Sequence, residues 1–314
     1  MRRERIVYCD ILRIIAIVGV IGIHSGMGRY FSWAVELFVM ISGAVWLSRE
    51  EEIDLKTLYS RNILRIGMAF CFWSVFYTIL YGVFLPLMRN EALSVKEILV
   101  MLAQGRYHLW FCYLIVGIYM GMPFFSKIAE NRILLKYFLG VSYFFSIAVP
   151  GLQNIPKLEW TSWMTDIINW NWARYAFYFT AGYYFHTVQW QKMWGYAICA
   201  FGMLSYVIMC LQAGGMFHGV FLCGAVVMIF LLCRKLLEYH DIGEKNARII
   251  AKGAEMCFGV YLIHDFYLTI WDFVTRYVCG VEIREGVGRV IVTAAASFGS
   301  VWLMRRCSFL KKFV

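Results

Sequence analysis

The chain has 314 residues, of which 61% are hydrophobic and 16% are charged, and its mean hydropathy is +0.63. This composition excludes an ordinary soluble globular protein and predicts an all-α integral membrane protein, with repeated apolar runs long enough to cross a bilayer. The formal net charge of +10 does not point to nucleic acid as a partner, because membrane proteins hold an excess of Lys and Arg on the cytoplasmic side.

A basic stretch precedes the first apolar run, as it does in signal peptides. Arg2, Arg3 and Arg5 lie before the run, but no convincing small-residue cleavage site follows it. We therefore interpret the run as a first membrane helix. Hydropathy predicts ten spans in all, at 6–28, 31–48, 66–88, 108–126, 133–152, 173–188, 193–212, 217–233, 255–278 and 290–304. The gaps are too short to bury an independent core, so the sequence predicts one membrane domain over residues 1–314.

The distribution of Lys and Arg predicts the orientation of these spans. With both termini in the cytoplasm, 20 of the 30 Lys and Arg residues fall on the inner side and 9 on the outer side, while Arg13 lies within the membrane. This asymmetry favours ten helices with both ends inside. We expect a multi-pass protein of the cell membrane, the bacterial inner or plasma membrane.

Three ionisable residues lie in register within the first span: Asp10, Arg13 and His24. An α-helix turns about 100° and rises about 1.5 Å per residue, so the step from Arg13 to His24 returns to nearly the same face about 16 Å further along. Asp10 falls on the same stripe. Ionisable groups in a membrane helix are unfavourable unless they face a partner or a water-filled cavity. The stripe therefore predicts a functional site.

The first two spans are joined by a very short link around residues 26–30, which predicts a tight antiparallel hairpin. At about 1.5 Å per residue, His24 lies about 7 Å and Glu36 about 10 Å below its tip. A carboxylate bound to one imidazole nitrogen leaves the other nitrogen as a general base. The sequence thus predicts a catalytic pair of His24 and Glu36. The alternative is a neutral histidine that is hydrogen-bonded for helix packing.

Basic residues cluster near the inner ends of the first and third spans. Arg13 stays charged at any working pH, so it binds phosphate or carboxylate, or pairs with Asp10 and braces the helix. Arg61 and Arg65 lie one helical turn apart just before the third span. For these two, phosphate binding and an ordinary flanking role are equally compatible with the sequence.

Later spans add further candidates. His108 and Trp110 begin the fourth span, where they line an acceptor entrance or belong to the interfacial aromatic belt. His264 in the ninth span is followed directly by Asp265, and it is part of the active cavity or a packing histidine.

The ten cysteines lie mostly singly without a CxxC pair, which predicts packing residues and no metal site. Close helix approach is predicted at Gly182, Gly195, Gly202 and Gly224.

Five pieces of the sequence follow one another in a recognisable order. They are YCDILRIIAIVGVIGIH, ELFVMISGAVWL, RNILRI, HLWFCYLIVGIYMGMPFF and FGVYLIH. Together they resemble the membrane acyltransferase 3 family, whose members move acyl groups, usually acetyl, from acyl-CoA to hydroxyls of carbohydrates and similar acceptors. The resemblance implies that His24 is the base and that Arg13, Arg61 and Arg65 hold the acyl-CoA. The candidate substrate-binding residues in these pieces are Ser42, His108, Trp110, Tyr261 and His264.

Two departures from the family narrow the expectation. The first loop is shorter than is common, and no appended hydrolase-like domain supplies a nucleophilic serine. The resemblance therefore implies a single-domain O-acetyltransferase for surface polysaccharides or their lipid-linked precursors, rather than a fused relay that acetylates peptidoglycan. We expect acyl-CoA, a glycan acceptor and the lipid bilayer as partners, with neither nucleic acid nor a metal.

The expected mechanism is direct transfer of the acyl group. His24, oriented by Glu36, deprotonates an acceptor hydroxyl that attacks the thioester. An acyl-enzyme on Ser42 or on a cysteine has no obvious base beside the nucleophile. The main alternative is a transporter or sensor that binds a small anion or amino acid in the same polar cavity. Transport predicts uptake or efflux without consumption of CoA.

Overall fold

The computed structural model describes residues 6–49, 53–88, 93–152, 171–189, 192–211, 215–238 and 242–314. These residues are helical almost throughout and contain no strand, which confirms the all-α class. The predicted basic start, Arg2, Arg3 and Arg5, lies outside the described residues.

Twelve of the described helices organise the molecule, and we number them in chain order. They are α1 (Val7–Gly22), α2 (Ala34–Leu47), α3 (Leu64–Thr78), α4 (Val95–Gln104), α5 (Trp110–Met120), α6 (Met122–Glu130), α7 (Arg132–Tyr143), α8 (Asn171–Thr187), α9 (Lys192–Cys210), α10 (His218–Glu238), α11 (Glu244–Phe273) and α12 (Val287–Met304). Short helical pieces extend several of them, for example Leu55–Thr57 before α3 and Leu85–Met88 after it.

Five helical stretches are long and apolar enough to cross a membrane. They are Val7–Phe31, Leu55–Leu87, Val95–Met120, His218–Leu237 and Val287–Met304. Two shorter apolar helices cover Ala34–Leu47 and Gly195–Cys210. These helices indicate a multi-pass membrane protein. A described helix overlaps each of the ten predicted spans, but the count of ten and the cytoplasmic termini stay predictions.

One departure from the predicted bounds is α4, which occupies much of the gap between the third and fourth predicted spans. Its start is fixed by a capping box, in which the Ser94 hydroxyl accepts from the Glu97 amide and the Glu97 carboxylate accepts from the Ser94 amide. It ends at Gly105, whose φ of 71° is accessible to glycine at little steric expense. Hydropathy alone missed this helix because it is less apolar than a typical span.

The first helix breaks directly after His24. Ser25 and Gly26 have non-helical backbone angles, with a φ of 78° at Gly26. The chain then turns through the short helix Gly28–Phe31 into α2. A Cβ added at Gly19 would lie 2.8 Å from the Cβ of Ala34, so α1 and α2 pack closely as the predicted hairpin. The break places His24 at the closed end of that hairpin.

Glycines allow two helix pairs to touch almost backbone to backbone. A Cβ on Gly43 of α2 would overlap the Phe179 carbonyl, and a Cβ on Gly182 of α8 would overlap the Met40 carbonyl. Gly202 and Gly224 have the same function between α9 and α10. The prediction of close approach is confirmed at Gly182, Gly202 and Gly224. It is wrong at Gly195, where nothing lies within 4 Å of an added Cβ.

Helices α1 and α11 run side by side in the same direction, and α3 contacts α11 through its side chains. Gly253 of α11 faces Ile14 of α1, and eleven residues further on His264 contacts His24. The Tyr77 hydroxyl of α3 donates to the Leu262 carbonyl of α11 at 2.8 Å. Polar side chains of these three helices therefore meet at matching depths.

Candidate active site

A cavity of about 520 Å³ runs between α1, α2, α3, α5 and α11. Arg13 lines one end, and His24, about 16 Å further along α1, lines the other. The structure therefore brings together the two residues at the centre of the predicted stripe. Other candidates on the cavity wall are Ser42, Arg65, His108, Trp110 and Tyr261.

The Arg13 end has an excess of basic side chains, and Glu255 also lines it. Arg13 Nη1 donates to the Asp10 carboxylate at 2.8 Å, and Asp10 itself is buried behind the cavity wall. Asp10 thus braces Arg13 rather than facing a substrate, which is the bracing alternative of the sequence analysis. Arg65 lines the same end, and its Nη2 donates to the Val314 carbonyl at 3.1 Å.

Arg305 is a cavity cation, although its position in the sequence predicts only a flanking residue on the inner side. It lies just after α12, lines the cavity and pairs with Glu255 of α11 at 2.9 Å. Its neighbour Arg306 instead stacks on the Trp302 ring at 3.6 Å and is not part of the lining. Arg13, Arg65 and Arg305 together form what we call the basic mouth.

Arg61 does not share the site predicted for it. The side chain is exposed and absent from the cavity wall. It precedes Arg65 by four residues, which places it about 6 Å further from His24 along the helix. Arg61 therefore lies beyond the mouth, as an ordinary flanking residue does.

Three imidazoles meet at the opposite end of the cavity. The ring centroids of His24 and His264 are 5.2 Å apart, and those of His108 and His264 are 4.9 Å apart. His24 and His108 line the cavity, whereas His264 is fully buried behind them. The Nδ1 of His264 lies 2.6 Å from the Tyr261 carbonyl. Because a carbonyl only accepts, this nitrogen carries the proton.

The sequence profile of a family described as an acyltransferase domain matches residues 6–305. The chain belongs to the membrane acyltransferase 3 family. Neither a curated protein nor a solved structure gives a significant match. Family membership supports acyl transfer in a membrane as the general activity, and the cavity joins residues of the five matching sequence pieces.

The predicted pair of His24 and Glu36 does not form in this member of the membrane acyltransferase 3 family. Glu36 is 2% exposed and accepts a hydrogen bond from Arg174 Nη2 of α8. Within the described residues, no hydrogen bond joins Glu36 to His24. The predicted orientation of His24 by Glu36 is wrong, because the tight packing of α2 against α8 gives this buried carboxylate a closer cation.

Asp265 is the buried carboxylate nearest to the histidines. It accepts from Arg106 Nε at 2.8 Å, from the Tyr107 hydroxyl at 2.8 Å and from the Tyr81 hydroxyl at 3.2 Å. The Tyr107 ring packs edge-on against His24, with centroids 5.2 Å apart. Tyr107 thus lies between Asp265 and His24 and contacts both. The only signal in the sequence was its position directly after His264.

The remaining candidates form the wall of the cavity. Ser42 Oγ donates to the Phe38 carbonyl one turn earlier, at 2.9 Å, so no base activates it. The Tyr261 hydroxyl donates to the His108 carbonyl, and Trp110 is partly exposed. No group of three or more His, Cys, Asp or Glu side chains in the described part of the chain is arranged to hold a metal ion.

Proposed function

We propose that the protein moves an acetyl or other short acyl group from acyl-CoA to a hydroxyl of a carbohydrate or lipid-linked glycan, in one membrane domain of the bacterial cell envelope. The observation that carries the proposal is that a histidine and three arginines line opposite ends of one cavity in a chain of this family.

The basic mouth supports binding of the donor. Arg13, Arg65 and Arg305 present guanidinium groups, which match phosphate oxygens in geometry and charge. Between the mouth and His24 the walls include Phe111 and Phe258. An apolar passage of this kind suits the slender arm that carries the thioester of acyl-CoA, with the phosphates left at the mouth.

His24 is the proposed base. Its imidazole takes the proton of the acceptor hydroxyl as the oxygen attacks the thioester carbonyl. The C–S bond then breaks, and the protonated His24 returns the proton to the departing thiolate, which yields the ester, free CoA and a neutral His24. This direct transfer returns every proton and needs no covalent acyl-enzyme. Tyr107 and His264 hold the His24 ring from two sides.

Thiol release tests this proposal. Purified protein is supplied with acetyl-CoA and with glucose, galactose, rhamnose, N-acetylglucosamine or cellobiose in turn, and free CoA is measured. We expect at least one sugar to stimulate release, and His24→Ala to lower that stimulated rate by at least about 100-fold. His218→Ala is the control, because His218 is exposed and outside the cavity wall.

Two results would contradict the proposal. Full sugar-dependent release by His24→Ala would exclude His24 as the base. Uptake of a small anion or amino acid into vesicles by the wild type, without CoA release, would favour the transporter or sensor alternative.

A further inference from the structure

A second cavity of about 410 Å³ lies beside the Asp265 cluster, at the end of the molecule where His24 is found. Its volume falls in the range of about 300–1,000 Å³ that is usual for small-molecule sites. It is lined by Tyr81, Leu85, Pro86, Arg106, Thr269 and Asp272. The cavity thus has an apolar side and a polar side.

The polar side has unused hydrogen-bonding capacity of both kinds. Arg106 uses Nε to bind Asp265, while its two Nη groups make no hydrogen bond with any described residue. Asp272 accepts from Arg289 through Oδ2, and its Oδ1 has no partner among the described residues. A ligand here therefore meets donors and an acceptor together.

The charged side chains that line the second cavity limit the class of ligand that it can bind. The Arg106 cation is paired with Asp265 and the Asp272 anion is paired with Arg289, so the cavity carries no excess of either sign. A strongly anionic or cationic ligand gains little from such a site. Neutral hydroxyl groups both donate and accept, and a sugar ring adds an apolar face that suits Leu85 and Pro86.

A chain of contacts connects this cavity to the base. Arg106 binds Asp265, Asp265 binds the Tyr107 hydroxyl, and the Tyr107 ring contacts His24. The basic mouth lies at the opposite end of α1, so the donor does not compete for this position. The Tyr107 side chain, which contacts His24 and is 50% exposed, therefore lies between the second cavity and the base.

We propose that the second cavity is an acceptor subsite that binds a neutral sugar unit of the acceptor glycan, next to the unit that is acylated at His24. The inference rests on the proposed function, since it assigns a second sugar position to the same reaction. Arg106 and Asp272 would select hydroxyl-rich rings, and Leu85 would pack against the apolar face.

The test is to fill the cavity and measure acceptor kinetics. Leu85→Trp places a large ring in the subsite, whereas Leu87→Trp makes the same change two residues along, at a side chain that is 66% exposed and outside the lining. The probe is cellobiose, which spans two sugar units. We expect Leu85→Trp to raise the KM for cellobiose at least about tenfold, with the KM for acetyl-CoA unchanged.

A second, more conservative variant tests the subsite independently, in case Leu85→Trp does not fold. Arg106→Lys keeps a cation beside Asp265 but removes the guanidinium N–H groups that face the ligand. It should raise the KM for cellobiose about fivefold, roughly 1 kcal/mol of binding, and leave the KM for acetyl-CoA near its wild-type value.

The possible results distinguish failure of the subsite proposal from failure of the proposed acyl transfer. Equal cellobiose KM values for Leu85→Trp, Leu87→Trp, Arg106→Lys and wild type would overturn the subsite while leaving acyl transfer intact. If the wild type released CoA with glucose but not faster with cellobiose at any concentration, the two-unit subsite would also be wrong. Absence of release with every sugar would overturn the proposed function, and the subsite with it.

Discussion

The pair of Arg305 and Glu255 gives the sharpest test of the donor site, because its two members should act in opposite directions. The carboxylate lies 2.9 Å from the guanidinium, and both side chains are partly exposed, at 28% for Arg305 and 43% for Glu255. If Arg305 binds a CoA phosphate, Glu255 competes with that phosphate for the same cation. Removal of the cation should weaken CoA binding, and removal of the carboxylate's charge should strengthen it.

The expected magnitudes follow from the geometry. A hydrogen bond to a charged group contributes about 1.5–3 kcal/mol, and the solvent at this mouth reduces the value. Arg305→Gln should thus weaken CoA binding by about 1–2 kcal/mol, or roughly 5–30-fold. An exposed ion pair contributes about 0.2–1 kcal/mol. Glu255→Gln should therefore tighten CoA binding by no more than about fivefold.

Titration calorimetry with CoA and with pantetheine, which lacks the phosphates, separates charge recognition from packing. Only CoA binding should respond to these two substitutions, and the response should shrink in high salt. Arg306→Gln is the matched control, because Arg306 stacks on Trp302 outside the cavity wall. Equal losses of CoA affinity for Arg305→Gln and Arg306→Gln, or an equal loss of pantetheine affinity, would show that Arg305 does not bind a CoA phosphate.

Three further predictions concern packing and mechanism. Gly182→Ala should prevent the contact of α8 with α2 and lower the melting temperature sharply, whereas Gly195→Ala should leave it unchanged; equal melting temperatures would contradict this account. Glu36→Gln should also lower the melting temperature, because Arg174 loses its buried partner, and a wild-type value would argue against it. Ser42→Ala should retain sugar-dependent CoA release, since its hydroxyl only bonds to the backbone; loss of release with normal folding would indicate an acyl-enzyme.

The sequence predicted the cavity better than it predicted the partners within it. Arg13 and His24 stand out because an ionisable group is unfavourable in an apolar helix, and their spacing alone places them on one face. Arg174 and Arg305 lie at helix ends, where basic residues are usual. Nothing local distinguishes them from flanking residues, and their roles depend on which helices pack together.

The helix bounds, too, are predictable from the sequence in some places and not in others. Long apolar runs such as His218–Leu237 are visible from hydropathy, but α4 depends on the Ser94 capping box rather than on apolar content. The pairing of His24 with Glu36 was inferred from depth along a hairpin, which does not fix the direction in which each side chain points. The α2–α8 contact decided that direction in favour of Arg174.

The backbone contact between α2 and α8 has a consequence for how substrates enter. With Gly43 and Gly182 each against a carbonyl of the other helix, and with Glu36 bound to Arg174, these two helices form a tightly packed unit that resists relative displacement. We therefore expect the passage to widen for a bulky donor at its opposite wall, where α5 and α11 meet through aromatic side chains. The α2–α8 pair would then be the rigid wall of the passage, and the α5–α11 pair the adjustable one.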